Sequence, residues 1–247
     1  MTKQAFSLVE LSIVLVILGL LTGGILTGQS LIRAAELRSV TTQFNEFITA
    51  SYIFKNKYFA IAGDMTNATA FWGVTTNNGD GDGRIEDDNG AATPENFLAW
   101  QHLALAGLIG GQYTGQVGGG GTYDAIAGQN TPSAKLSNAG WSIDFWDASS
   151  GYFGTEAYWV NYGNAMFFGA KQPNDGYWAP ILTPEEAWNI DKKIDDGKPA
   201  KGRIHAYWWD DACSAADDGS NDGDDFESSY RLSDKSMQCS LIIKDAL

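Results

Sequence analysis

Hydrophobic and polar positions divide the chain into two regimes. Residues 1–5, Met-Thr-Lys-Gln-Ala, are short and polar, with one positive charge at Lys3. From Phe6 to Leu26 the chain is predominantly apolar for 21 residues, and Glu10 is the sole charge within that run. A bilayer core needs about 20 such residues in a helix, so the run has spanning length. Lys3 on the short side predicts that this end faces the cytoplasm and that the bulk of the chain lies across the membrane. Further on the pattern becomes one-sided. Val40, Phe44, Phe47, Ile48, Ser51, Tyr52, Lys55 and Tyr58 recur in steps of three and four, while Arg33, Glu36, Arg38, Gln43, Glu46 and Lys57 fill the polar faces. The spacing predicts one helix from Phe6 to Tyr58, roughly 80 Å long at 1.5 Å per residue. Gly19, Gly23, Gly24 and Gly28 punctuate its apolar half. They either weaken the helix, by about 1 kcal/mol each relative to Ala, or let neighbouring helices approach closely.

The pattern after residue 59 is mixed. Residues 60–92 read as loops that include an Asp/Gly-rich run. Thr93-Pro94-Glu95 supplies an N-cap, a first-turn proline and an acid, which predicts a helix ending near Gly110. Phe97, Leu98, Leu103, Leu105 and Leu108 would face its core side. Residues 115–128 are glycine-rich but carry no phosphate-loop lysine, which argues against a nucleotide site. Aromatic-rich segments at Trp141–Trp146, Tyr158–Tyr162 and Ala165–Gly169 predict strands, as do Arg203–Trp209 and Gln238–Ile243. Thr183-Pro184-Glu185-Glu186 matches a capping box and opens a helix to about Ile194. The fold class is therefore α+β, with a long N-terminal helix packed on an antiparallel-sheet head at 60–247.

Charge separates the same two parts. Residues 1–59 hold five Lys/Arg against three Asp/Glu, a balance of +2; residues 60–247 hold eleven against twenty-seven, or −16. Such a head repels nucleic acid and anionic membrane and favours cations.

Glu10 is the anomaly, because a carboxylate in a membrane helix costs a few kcal/mol unless it is partnered. Lys3-Gln4-Ala5-Phe6-Ser7-Leu8-Val9-Glu10 resembles the cleavage and methylation motif of type IV prepilins and pseudopilins. In that family a membrane-embedded prepilin peptidase cuts a short basic leader before a Phe and methylates the new amine. The Glu five residues into the mature chain then pairs with the N-terminal amine of a neighbouring subunit. The resemblance implies cleavage between Ala5 and Phe6, an N-methyl group on Phe6, and Glu10 as the assembly residue. Ala5 departs from the Gly usual before the cut, though it too is small. Pairing two charges that are each costly in lipid would fix the stagger of packed subunits. The family motif covers about the first 35 residues.

The implied organisation is a leader at 1–5, a transmembrane and filament-core helix at 6–28, its amphipathic continuation at 29–59, and a pilin-like head at 60–247. The implied partners are copies of the chain and other pilins in a helical filament, the peptidase, and an inner-membrane assembly platform. Before assembly the chain would cross the inner membrane once with its head in the periplasm; afterwards it would belong to an extracellular or periplasmic filament. Three other readings explain less. A secretory signal cut near Thr22–Gly28 has no use for Glu10, a plain anchor does not need the FSLVEL string, and a buried core helix does not need 21 apolar residues at a terminus.

The acidic head offers cation candidates. Asn78, Asp80, Asp82, Arg84 (through its carbonyl) and Glu86 stand at the spacing of a calcium loop's opening, with Gly83 at the turn and Ile85 as anchor. Position twelve is Asn89 rather than a bidentate Glu, so the full EF-hand pattern is not met; Asp87 and Asp88 lie beside it. Asp218, Ser220, Asp222 and Asp224 form a weaker second run. Both runs read equally as solvated loops. Cys213 and Cys239, an even pair in an exported chain, read as a disulfide; two buried thiols are the alternative. Only His102 and His205 exist, and neither has zinc-ligand spacing to the cysteines.

No catalytic constellation emerges from the spacing, so the chain reads as no enzyme. The first function class is a structural filament subunit, a major or minor pilin or a pseudopilin of a type IV pilus or type II secretion system. The second is a filament-borne adhesive or substrate-binding module that uses the aromatic, acidic head, with Trp208-Trp209 and Tyr177-Trp178 as a candidate patch.

Overall fold

The protein, seen here as a computed structural model, is described over residues 7–86, 94–121, 123–149, 157–207, 212–215 and 224–247. Helix α1 runs from Leu8 to Tyr58, 51 residues without a break, or about 77 Å. Ser7 caps it: its Oγ accepts the Glu10 N–H (3.2 Å), and the Glu10 carboxylate accepts the Ser7 N–H (2.8 Å). In the first half of α1, Leu15, Leu18, Leu21 and Leu26 are all more than half exposed. A Cβ added at Gly19, Gly23, Gly24 or Gly28 would meet nothing within 4 Å. Among the described residues no contact requires those glycines.

The second half of α1 is buried on one side. Val40, Phe44, Phe47, Ile48, Ala50, Ser51 and Phe54 form the stripe, the arrangement that lays a helix against a sheet. Tyr52, expected on that face, is 58% exposed. Ser51 takes the buried step, and the next residue is turned about 100° away.

The sheet under α1 is antiparallel and built from β1 (Ala139–Asp147), β2 (Asn161–Lys171), β3 (Tyr177–Ala179), β4 (Ile204–Tyr207) and β7 (Ser240–Ile243). The order is β1-β2-β7-β4, with β3 also on β2. Two-residue strands β5 (Ser214–Ala215) and β6 (Ser229–Tyr230) pair separately. Alternation along the strands gives the sheet two apolar faces. Trp141, Ile143, Met166, Phe168, Ile204, Ala206, Leu241 and Ile243 turn toward α1 and join Phe44, Phe47 and Phe54. Phe47 meets Trp100 (5.0 Å, 70°) and Trp141 (5.4 Å, 85°) edge to face, a geometry that adds roughly 0.5–1.5 kcal/mol per pair beyond area burial. Ala165, Phe167, Tyr207 and Ile242 turn the other way, with half-buried Trp146 and Trp178 against them.

Several elements differ from expectation. Of the two strands expected at 158–162 and 165–169 the structure has one, β2, which begins at Asn161, takes in only the last two residues of the first segment, and shifts register opposite Trp146/Asp147. Gly163, at φ 62°, absorbs the irregularity that a purely periodic reading takes for a break. The 60–92 segment contains a short helix, α2 (Ala68–Trp72), and a 3-10 turn at Gly73–Thr75. Helix α3 spans Glu95–Leu105, with Pro94 extended at the N-cap rather than in the first turn. It stops two residues before Gly107, whose φ is 72°, so Leu108 lies beyond it and Leu105 is 38% exposed. Helix α4 (Pro184–Ile194) carries the expected capping box, Thr183 with Glu186.

Two links tie distant segments together. Arg33 donates Nε to Glu186 Oε1 and Nη2 to Glu186 Oε2, both at 2.7 Å, and also reaches the Ile181 carbonyl at 3.1 Å. This bidentate pair holds α1 to α4 where α1 first meets the head. Cys213 and Cys239, both fully buried, are joined as a disulfide between β5 and the start of β7.

Candidate functional site

Two features stand out, one in the exposed half of α1 and one just past its C-terminal end. The first is the apolar half of α1, long and apolar enough to cross a membrane. Within it Glu10 has a local role that the sequence reading overlooked. Ser7-x-x-Glu10 is an S-x-x-E capping box, and its signature stood in the sequence. A carboxylate has about four lone-pair directions, so accepting the Ser7 N–H leaves room for a second donor. Ala5 and Phe6, the expected cleavage position, lie outside the described residues.

The second feature is an acidic group just past the C-terminal end of α1. Carboxylate oxygens of Asp64, Asp80 and Asp82 lie within 4.8 Å of one another. The path of the chain explains how. After α1 the backbone turns at Gly63, and the acidic loop passes so close that a Cβ at Gly79 would lie 2.3 Å from the Gly63 carbonyl. Gly79 N–H donates to the Met65 carbonyl at 2.9 Å, which sets Asp80 beside Asp64. Buried His102 on α3 fixes both flanks. Its Nδ1 accepts the Gly63 N–H (3.0 Å), and its Nε2 lies 3.2 Å from the Asn77 carbonyl. The ring is thus neutral, and burial pulls its pKa down to about 4.

Asp64 is the unusual member. It is 7% exposed; Oδ2 accepts the Gly83 N–H at 3.1 Å, while its buried Oδ1 has no hydrogen-bond partner. Burial raises its pKa, the nearby N–H groups of Gly81 and Gly83 oppose the rise, and the neighbouring Asp82 and Asp80 add to it. Glu95, 2% exposed, reaches the same loop and accepts the Asp80 N–H at 2.8 Å.

Of the residues expected from loop spacing, the structure gathers Asp80 and Asp82. The Asn78 amide oxygen instead accepts the Thr69 N–H of α2 (2.9 Å). Glu86, whose carbonyl accepts the Glu95 N–H, is not among the clustered acids. Arg84 donates its N–H to Asp82 Oδ1 (2.8 Å), and its guanidinium lies 4.6 Å from the centre of the Phe145 ring. Asp87, Asp88 and Asn89 lie outside the described residues, as do Asp218, Ser220 and Asp222; of the weaker run only Asp224 is described. Asp64 was missed because it stands fourteen residues before the motif, in a segment with no ligand spacing of its own.

A second acidic group, Asp191, Asp195 and Asp196, also has the proximity to hold an ion. Its oxygens are used internally. Asp191 accepts the Tyr230 hydroxyl (2.9 Å) and the Gly197 N–H (3.2 Å). Asp195 accepts the Arg203 and Ile204 N–H groups, and Asp196 accepts that of Lys198. Full burial raises the Asp191 pKa to about 7 despite those bonds. This group shapes the 195–204 loop. The Asp64 group, with an orphaned buried oxygen, is the better cation candidate.

No protein-family model, curated protein or solved structure matches this chain.

Proposed function

We propose that the chain is a structural subunit of a type IV pilin-like filament, anchored in the membrane and then packed through the exposed half of α1. The observation that supports this most is the contrast within one unbroken helix. The stripe from Val40 through Phe44, Phe47 and Ile48 to Phe54 is buried by the rest of the chain, whereas the apolar run at the start of the helix is exposed among the described residues. An apolar surface of that length must be covered by lipid, by neighbouring helices, or by each in turn. The α+β layout, a long helix with its second half on an antiparallel sheet, is compatible with a pilin. Under this reading Phe6 is the methylated first residue of the mature chain, and Glu10 receives the amine of a neighbour. Recovery of the chain in filaments sheared from cells tests the reading. Its retention in the membrane fraction, with filaments present but lacking it, would oppose it.

The same proposal takes calcium as the cation of the Asp64–Asp80–Asp82 group. Three carboxylates from two separate segments, Asp64 on one and Asp80 and Asp82 on the other, suit calcium better than magnesium, which demands strict octahedral geometry and holds its waters. An ion bound only by the folded head stabilises it by about 2.7 kcal/mol at a hundredfold excess over Kd. Extracellular calcium modules bind at about 0.1–1 mM. Calcium at 10 mM is therefore expected to raise the melting temperature by about 5–10 °C over EDTA, with magnesium doing less. Asp64→Asn should abolish the calcium effect. It should also melt higher than wild type in EDTA, because it removes a buried charge beside two like charges. Identical wild-type curves in calcium and EDTA would reduce the group to a solvated loop.

A further inference from the structure

The outward face of the sheet carries a cleft of about 310 Å³, the lower end of the range for small-molecule sites. Its described lining is Tyr123, Asp144, Trp146, Phe167, Asp175, Trp178 and Tyr207. The strand pattern explains this composition. Asp144 and Trp146 are the outward residues of β1, and they stand in register with Ala165 and Gly163 of β2, so small residues flank large ones. Trp178 comes from β3 and Asp175 from the turn before it; Tyr207 ends β4.

Three observations narrow the ligand. First, the rings stand as walls rather than as one flat platform. Trp146 meets Phe167 at 5.7 Å and 72° and Tyr207 at 5.7 Å and 71°, and Phe167 meets Trp178 at 5.8 Å and 65°. A sugar ring stacks on a flat face, whereas a rounded cation profits from several π faces at once. Second, the charged groups of the described lining are two carboxylates, with no Lys, Arg or His among them. Carboxylates only accept hydrogen bonds and complement positive charge. Third, residues 60–247 carry −16, a field that concentrates cations at the surface. A primary ammonium is strongly hydrated and seeks three acceptors, whereas a quaternary one has no N–H to donate and loses little by entering aromatic walls.

We propose that this cleft binds a quaternary ammonium group, with Trp146, Trp178 and Tyr207 as its walls and Asp144 and Asp175 as its counter-charges. The site is separate from the Asp64 group and does not depend on filament assembly. Its test is 19F NMR of the full-length chain carrying 5-fluorotryptophan, in a polyoxyethylene detergent that contains neither sugar nor ammonium. Variants Trp146→Phe and Trp178→Phe assign two of the nine indole signals. Choline chloride, titrated against sodium chloride at equal ionic strength, should shift those two signals saturably. Its uncharged isostere 3,3-dimethyl-1-butanol, and methylammonium, should bind at least about threefold more weakly. Asp144→Asn and, independently, Asp175→Asn should each weaken choline by about threefold to thirtyfold, the range of a desolvated cation contact, while the other indole signals stay in place. Equal binding of the isostere would make the cleft merely apolar. Stronger binding of methylammonium or of glucose would assign it to another ligand class. Absence of any saturable shift, or choline affinity unchanged in both Asn variants, would overturn the proposal.

Discussion

Glu10→Ala is expected to leave the protein in the membrane but to reduce its content in sheared filaments at least tenfold. Two roles meet in this side chain, and a second variant separates them. Within the chain the carboxylate accepts the Ser7 N–H as half of a capping box. Loss of a cap destabilises a helix end by about 0.5–2 kcal/mol. Between chains, under the proposed assembly, it neutralises a neighbour's N-terminal amine in an apolar setting, where an uncompensated charge costs several kcal/mol. Glutamine serves the capping box as well as glutamate does, but it carries no charge. Glu10→Gln should therefore fail to assemble just as Glu10→Ala does. Wild-type incorporation of Glu10→Gln, with loss in Glu10→Ala alone, would leave Glu10 as a helix cap and nothing more.

Removing the disulfide is expected to have the largest effect on the head. Cys213→Ser with Cys239→Ser should lower its unfolding free energy by about 2–5 kcal/mol, read as a lower denaturant midpoint. The bond closes a segment that holds β5, β6 and Tyr230. Tyr230 in turn donates its hydroxyl to the fully buried Asp191. Without the crosslink that buried acceptor depends on a two-stranded ribbon that is marginal alone. The main-chain bonds of Cys239 with Ile181 and Leu182 remain, so the five-stranded sheet should persist. A loss under 1 kcal/mol would show that the crosslink merely follows a segment already held by packing.

How far the sequence foretold this fold depends on how local each signal was. Helix α1 was legible along its length because its periodicity and its 21-residue apolar run need no tertiary context. Helix α4 was legible through Thr183 and Glu186, three residues apart, which cap each other as the pattern requires. The Arg33–Glu186 clamp was not, since its partners stand 153 residues apart. Strand β2 was split wrongly because its sharpest irregularity, at Gly163, is a feature of pairing with β1 and not of the segment. In the acidic group the motif drew attention to Asp80 and Asp82, but proximity to Asp64 exists only once Gly79 lets two loops touch. The outward cleft was legible only as an excess of aromatics. Which rings share a face follows from the register of β1 on β2 and of β4 on β7, and no single segment contains that register.

Mass spectrometry of the N-terminus of protein isolated from cells decides whether the apolar half of α1 begins a mature filament subunit. The expected first residue is Phe6, heavier by one methyl group, with residues 1–5 absent. A mature chain that begins beyond Leu26 would contradict it, because the helix that is meant to pack the filament would have been discarded. An intact N-terminus at Met1 in filament-free cells, retained in the presence of an active prepilin peptidase, would contradict it equally.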